Sequence, residues 1–415
     1  MANNSEVYPL NTQSITRNAL AGITTSLAMV PEVLAFALLA HVHPLVGLYA
    51  AVVLGLITAL FGGRPGLISG GAGSLAVVSV ALVVTHGVEY LFAAIAVMGV
   101  IQFLFGALKF GKFIKLVSPS VMTGFVNGLA LVIFMAQLHQ IPFKGIALFS
   151  MLGLIGITVV GVVIAPKITK RIPGSLIGIM LVTSVVILFG ISTKRVGDIA
   201  HISGAFPRFH LPSVPFTLET LRIVLPYSLI LAAVGLIETL LTAKLVDSTI
   251  GGTTKPNLES MAQGAGNLLT GFFGGMGGCA MIGQTVINLE AGGHQRLAGV
   301  VESLAILVYI VFASTLIESI PIAALVGVMF VVCYHTFDWA SLSFINKPKD
   351  EVAIMLTVTV ATVVFNLAYA VLLGVALTSI LYYWIHCSCE TTLPLVDPLP
   401  ELASEANSLE FDVQA

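Results

Sequence analysis

Charge is what this sequence has least of. Of its 415 residues, 9% are charged and 57% are hydrophobic, where a soluble protein carries about 25% charge. Mean hydropathy is +1.03. So little charge cannot cover a water-exposed surface, which excludes a soluble domain and predicts an all-α polytopic protein of the lipid bilayer. Basic runs are missing too, so no nucleic acid is expected as a partner. Residues 387–415 hold six acids and no base; without them the net charge rises from −2 to +4. Four cysteines, Cys279, Cys333, Cys387 and Cys389, make no disulfide framework. The run His386-Cys-Ser-Cys389 matches no common zinc spacing, so no metal site is expected. Neither a nucleotide loop nor a nucleophile–base pair is present, which argues against a pump or an enzyme. Residues 1–16 are polar and lack a leader pattern, so the first apolar run is expected to be a retained span.

Apolar runs bounded by Gly, Pro and charge number fourteen. The first seven fall at 16–40, 47–61, 72–85, 89–108, 117–138, 146–165 and 175–191. The second seven fall at 221–246, 257–272, 281–290, 296–315, 320–335, 349–364 and 367–386. With the N-terminus inside, thirteen Lys and Arg lie on the cytoplasmic side and five on the other. Three of those five occupy one loop, 192–219, and a fourth, Arg222, follows just after it. The positive-inside rule thus supports the count and places both termini in the cytoplasm. An odd number of spans per half gives the halves opposite orientation, an inverted repeat.

Spans three and ten are too short to cross a hydrocarbon core of about 30 Å. Each follows a glycine-rich break. The first reads Phe61-Gly-Gly-Arg-Pro-Gly-Leu-Ile-Ser-Gly-Gly-Ala-Gly-Ser74; the second, 212 positions later, reads Phe273-Gly-Gly-Met-Gly-Gly-Cys-Ala-Met-Ile-Gly-Gln284. Matching broken segments in two halves mark a transporter binding site. If both half-helices begin near the midplane, their N-termini face each other with free N–H groups and partial positive charge. That is an anion site without a basic side chain. The competing reading is close helix packing through small residues.

Two lone carboxylates fall inside spans: Glu32, after Pro31, and Glu238, with Thr242 four residues on along the same helix face. A charged acid at the bilayer centre costs about 2.5–3.5 kcal/mol on insertion scales, so it faces a cavity or a partner. Each is a candidate proton carrier or, with Thr242, a sodium ligand; the alternative is a neutral structural acid. Asn127, Asn267, Gln284 and Asn288 are expected to form interhelical hydrogen bonds. Glu290, Arg296 and Asp247 are expected at cytoplasmic span ends.

These residues resemble the SulP family of inorganic-anion carriers, relatives of animal anion exchangers and prestin. The likeness covers almost the whole chain. It is carried by Ala21-Gly-Ile-Thr24, Pro31-Glu-Val-Leu-Ala-Phe-Ala-Leu-Leu39 and Pro44-Leu-Val-Gly-Leu-Tyr49. Further on it is carried by Ser118-Pro-Ser-Val-Met-Thr-Gly-Phe-Val-Asn-Gly128, by the second glycine break and by Lys347-Pro-Lys-Asp-Glu-Val-Ala-Ile-Met355. The resemblance implies a 7+7 inverted repeat with core and gate units moving as an elevator. The expected division is a cytoplasmic N-terminus (1–15), core (16–108), gate (113–191), outer loop (192–220), core (221–315), gate (320–386) and acidic tail (387–415).

It also implies anion contacts at Ala72, Gly73 and Ser74 and at Ala280, Met281 and Ile282, with Glu238 at the coupling-ion position. Cyanobacterial bicarbonate carriers look similar around Glu238 and Thr242, which opens a sodium-coupled bicarbonate reading. Two departures stand out. Many members have Gln where this chain has Glu32. Members usually carry a STAS domain after the last span, but only 29 residues follow His386 here. The family reading leaves a homodimer through the gates open.

The expectation is a secondary transporter of sulfate or bicarbonate in a bacterial inner membrane, coupled to protons or sodium and without other cofactors. A cation-independent exchanger and a nucleobase permease are the alternatives. The permease is disfavoured because span ten offers Gln284 and no central acid. A voltage-responsive motor is disfavoured because the site-lining stretches have no Arg or Lys.

Overall fold

The computed structural model describes residues 12–111, 119–142, 145–168, 172–199, 201, 204–342, 349–364 and 373. Apolar runs without internal breakers become helices, since only a helix satisfies its own backbone in lipid. The first half holds α1 (Thr12–Leu39), α2 (Pro44–Phe61), α3 (Gly73–His86), α4 (Val88–Ala107), α5 (Pro119–Leu138), α6 (Ile146–Ile168) and α7 (Gly174–Leu188). A short α8 (Val196–Ile199) follows in the long loop. The second half holds α9 (Leu218–Ile250), α10 (Pro256–Phe272), α11 (Ile282–Glu290), α12 (Arg296–Phe312), a short α13 (Ser314–Glu318), α14 (Ile322–Thr336) and α15 (Lys349–Val364). The fourteenth expected span, 367–386, and the acidic tail lie outside the described residues. The protein is thus an all-α polytopic membrane protein, with six described helices long and apolar enough to cross a bilayer by themselves.

Helices α1, α2, α4, α9, α10 and α12 pack on one another and hold α3 and α11 among them. Helices α5, α6, α7, α14 and α15 form a second group. The two groups meet where α1 touches α7 and α14 and where α3 touches α5.

The tightest pairing is α4 on α10. Without a hydrophobic drive between helices in lipid, close backbone approach through small residues is what holds them. A Cβ added to Gly99 would stand 2.3 Å from the Leu268 nitrogen, and one added to Gly264 would stand 2.3 Å from the Phe103 nitrogen.

Two feature pairs tie the halves together. Arg296, at the start of α12, donates from Nη1 to the Ala59 and Leu60 carbonyls, each at 3.0 Å, and from Nη2 to the Gly62 carbonyl. It thereby caps the orphan carbonyls ending α2. Arg64, just after α2, donates to the carbonyls of Val246 and Gly251 at the end of α9 and pairs with Asp247 at 3.0 Å. Each arginine caps a helix of the other half.

On the opposite face, the loop after α7 is tied down at several points. Val196 N–H donates to the Ile320 carbonyl, Tyr49 Oη to the Ala205 carbonyl, and His210 N–H to the Phe272 carbonyl. The Glu89 carboxylate accepts from Ser213 N–H at 2.7 Å and lies 2.9 Å from His210 Nε2. His43 caps α2 by accepting from Leu45 N–H. Partial burial holds its imidazole below the ordinary value, which keeps that acceptor nitrogen free of a proton.

Overpacking a close helix contact costs about 1–3 kcal/mol or more. Gly99→Val and Gly264→Val are therefore expected to lower the unfolding temperature in detergent and the yield of monodisperse protein. Gly153→Ala, with nothing within 4 Å of the added atom, serves as the control and is expected to unfold at the wild-type temperature or above. Unchanged unfolding in both α4–α10 variants contradicts this packing account.

Candidate functional site

The two glycine breaks meet. Strand β1 (Ser69–Gly70) pairs antiparallel with β2 (Cys279–Ala280), Ser69 opposite Ala280 and Gly70 opposite Cys279. The ladder continues with Met281 N–H donating to the Ile68 carbonyl at 2.9 Å. Pairing this close needs glycine: a Cβ on Gly278 would stand 1.9 Å from the Gly70 carbonyl oxygen.

Both short helices start directly after the ladder. The N-cap of α3 is Ala72 and that of α11 is Met281; both are extended, and neither supplies a side-chain cap. The first-turn N–H groups of both helices are left to other partners, and the positive end of each dipole is directed into the midst of the fold.

The outer edge of β2 is held by α9. Thr239 Oγ1 accepts from Ala280 N–H at 3.1 Å, and Thr242 Oγ1 lies within hydrogen-bond distance of the Ala280 carbonyl at 3.1 Å and of the Glu238 carbonyl at 2.8 Å, with one hydrogen for the two. The half-buried Glu238 carboxylate accepts from Ser74 Oγ at 2.5 Å, in the first turn of α3, with the Cys279 thiol beside it. Glu238 thus spans from α9 to the start of α3. Thr242 points at the strand rather than at the carboxylate.

Glu32 is buried on α1 and faces the Gln284 amide in the first turn of α11. The pair lies beyond hydrogen-bond geometry, and both amide atoms of Gln284 are buried without a partner among the described residues. Glu32 and Glu238 therefore address the start of α11 and the start of α3 respectively.

The six expected contact residues differ in access. Ala72, Gly73, Ser74, Ala280 and Met281 are buried. Gly73 has no room for a side chain, since an added Cβ would stand 2.5 Å from Phe36 of α1 and 3.0 Å from Ile133 of α5. Ala280 packs with Leu67, Ala243, Val246 and Leu289. Ile282 is 37% exposed, and a Cβ on its neighbour Gly283 would meet nothing within 4 Å. The open side of the paired half-helices is thus the start of α11.

Asn267, Asn288 and Asn127 are structural. Asn267 grips both polar groups of Gly278 at 2.9 and 3.0 Å, and it also donates to Gln102 Oε1. Asn288 donates to the carbonyls of Gly66 and Gly293, and Asn127 to Ser341. Sequence reading missed Thr239, which has no pattern of its own. It also missed two buried acids, Glu259 on α10 and Glu302 on α12. Glu302 is a lone acid inside an apolar run, the same signal that marks Glu32 and Glu238.

The arrangement can hold a small anion by backbone N–H groups and load a cation or proton on adjacent carboxylates. Among the described residues named above around the start of α11, none is a Lys or Arg.

The putative sulfate transporter YbaR of Bacillus subtilis is 44% identical over 371 residues, which cover 89% of this chain and 77% of the relative. The bicarbonate transporter BicA of a Picosynechococcus species is 31% identical over 404 residues, covering 89% of this chain and 70% of the relative. Among solved structures, the transmembrane domain of a cyanobacterial bicarbonate transporter BicA superposes with a TM-score of 0.75 at 27% identity. It covers 89% of this chain and 98% of that one. Murine Slc26a9 superposes at 0.76 with 18% identity over 91% of this chain and 70% of its own, a likeness of fold alone. The description "Sulfate permease family" matches residues 15–147 and 141–359, and the chain belongs to that family of transporters, which are not enzymes.

Proposed function

We propose that this protein is a secondary active transporter of a small inorganic oxyanion, sulfate or bicarbonate. The observation that carries the reading is the pair of half-helix N-termini fixed by the β1–β2 ladder beside Glu238. Helix ends bind oxyanions through N–H groups and dipole without a counter-charged side chain. The named activities of YbaR and BicA support these two oxyanions as the first to test. Glu238 is the coupling carboxylate, and Glu32 is a second acid placed to compete with the anion. The group of helices holding α3 and α11 slides against the α5–α7, α14 and α15 group as an elevator. Both termini are cytoplasmic in a bacterial inner membrane, and two copies associate through the second group. Uptake of labelled sulfate and bicarbonate into proteoliposomes under imposed pH and sodium gradients tests substrate and coupling together. Exchange with no gradient dependence would instead mark a cation-independent exchanger.

Steric blocking belongs at Gly283 rather than at Gly73 or Ala280, which are already packed. Gly283→Leu is expected to cut uptake by about tenfold or more, equivalent to about 1.4 kcal/mol, with wild-type unfolding temperature. Wild-type uptake by this variant at matched protein contradicts a site at the start of α11.

Glu238→Gln removes the charge but keeps the shape. Gradient-driven accumulation is expected to disappear, while exchange of labelled for unlabelled anion, which moves no net cation, persists. Accumulation against a gradient by the Gln variant contradicts the coupling role.

Glu32 gives a signed pH dependence. Its carboxylate is drawn to the positive end of α11 and competes there with substrate; protonation at lower pH removes that competition. Apparent anion affinity is therefore expected to rise as pH falls, and Glu32→Gln is expected to flatten the curve. Superimposable pH–affinity curves for wild type and variant would leave Glu32 a packing residue.

A further inference from the structure

Glu302 of α12 is completely buried, and nothing in the transport reading uses it. Its Oε2 lies 3.1 Å from Ser303 Oγ, and its Oε1 has no partner among the described residues. Ser303 Oγ also lies 3.0 Å from the Gly299 carbonyl. A hydroxyl has one hydrogen, so it cannot serve both acceptors. An ionised Glu302 would be a bare charge in the bilayer interior with at most one donor, at a cost of several kcal/mol. The hydrogen count closes when Glu302 is the donor: its acid O–H goes to Ser303, and the Ser303 hydrogen goes to Gly299.

The surroundings point the same way. A Cβ on Gly55 would stand 2.5 Å from Ser303 Oγ, 3.0 Å from the Ser69 carbonyl oxygen and 3.3 Å from Glu302 Oε2. Three oxygens thus converge on the space where α2 lacks a side chain, at the outer edge of β1. Ser69 leads further, since its Oγ accepts from Gln263 Nε2 at 2.8 Å and that amide also donates to Glu259 Oε1 at 3.2 Å. Gln263 Oε1 is buried without a partner. Glu259, equally buried, meets more donors: its Oε2 accepts from the N–H groups of Gly63 at 2.7 Å and Arg64 at 3.2 Å. Such donors suit a carboxylate. The two acids on this polar column thus differ in how many donors their carboxyls meet.

The titratable and charged groups on elements packed around Glu302 are Arg17 and Glu32 on α1, Tyr49 on α2, Glu259 on α10, Arg296 and Tyr309 on α12, and Glu318 on α13.

We propose that Glu302 is a proton-binding site at the outer edge of β1, separate from Glu32 and Glu238, which exchanges its proton as the ladder moves through the transport cycle. The proposal rests on the transport reading for when the proton moves, and not for where it binds.

Infrared difference spectra of the full chain in liposomes test the site without transport. A protonated-carboxyl band is expected in wild type that is lost on raising the pH and absent from Glu302→Gln at every pH. In the same liposomes, proton-driven anion accumulation by Glu302→Gln is expected to fall by about tenfold, within the range of a coupling free energy. A band assigned to Glu302 that survives at every pH makes it a permanent structural acid and overturns the proposal. Loss of the band on adding sodium at fixed pH overturns it in favour of a sodium site. Should Glu302→Gln fail to fold, Ser303→Ala reports instead: removing the acceptor is expected to shift the band, and an unshifted band overturns the placement. Wild-type liposomes that carry neither sulfate nor bicarbonate refute the transport reading while the titrating band still stands.

Discussion

Everything near the centre of this protein follows from one constraint: two stretches of extended backbone lie where no water can bond to them. Inside a bilayer each unpaired N–H or C=O costs several kcal/mol. The stretches solve half the problem by pairing with each other as β1 and β2. The other half, the outward-facing groups, dictates which polar side chains the surrounding helices must carry. Thr239 and Thr242 serve Ala280, Asn267 serves Gly278, Thr285 serves Ile68, and Gln263 reaches the Ser69 hydroxyl. An otherwise oily sequence spends much of its buried polarity around four strand residues.

Because both half-helices begin at the ends of that ladder, their N-termini are fixed relative to each other. A ligand meeting them finds donors already oriented, with little ordering left to do. The two ends are nevertheless unequal. The start of α3 is covered by Phe36 and by Ile133, the latter from the second helix group, whereas the start of α11 is open at Gly283. Sliding of one group past the other would take Ile133 away from the start of α3 and leave Phe36, of its own group, in place.

Most of the helices were legible because long apolar runs between breakers leave little choice in lipid, and span 349–364 coincides with α15. The half-helices were legible because their length is wrong for a span. The strands were not, since two residues carry no alternation pattern. Openness was not legible either: Gly73 and Gly283 look alike in sequence, and only the neighbours brought by α1 and α5 separate them. The interhelical role expected of Asn267 is found in its bond to Gln102 of α4, whereas Gln284, expected to bond likewise, has an amide without a partner among the described residues. Glu302 was legible and overlooked, because its apolar run lay away from the glycine breaks.

The exchanged arginines have a consequence for how the chain is made. Arg296 closes the end of α2, yet it is synthesised more than 200 residues later; Arg64, made early, waits for the carbonyls of Val246 and Gly251. Domains ordinarily fold in order of emergence. The cap that ends α2 is therefore complete only once the second half is present, and the first half alone keeps the orphan carbonyls of that last turn.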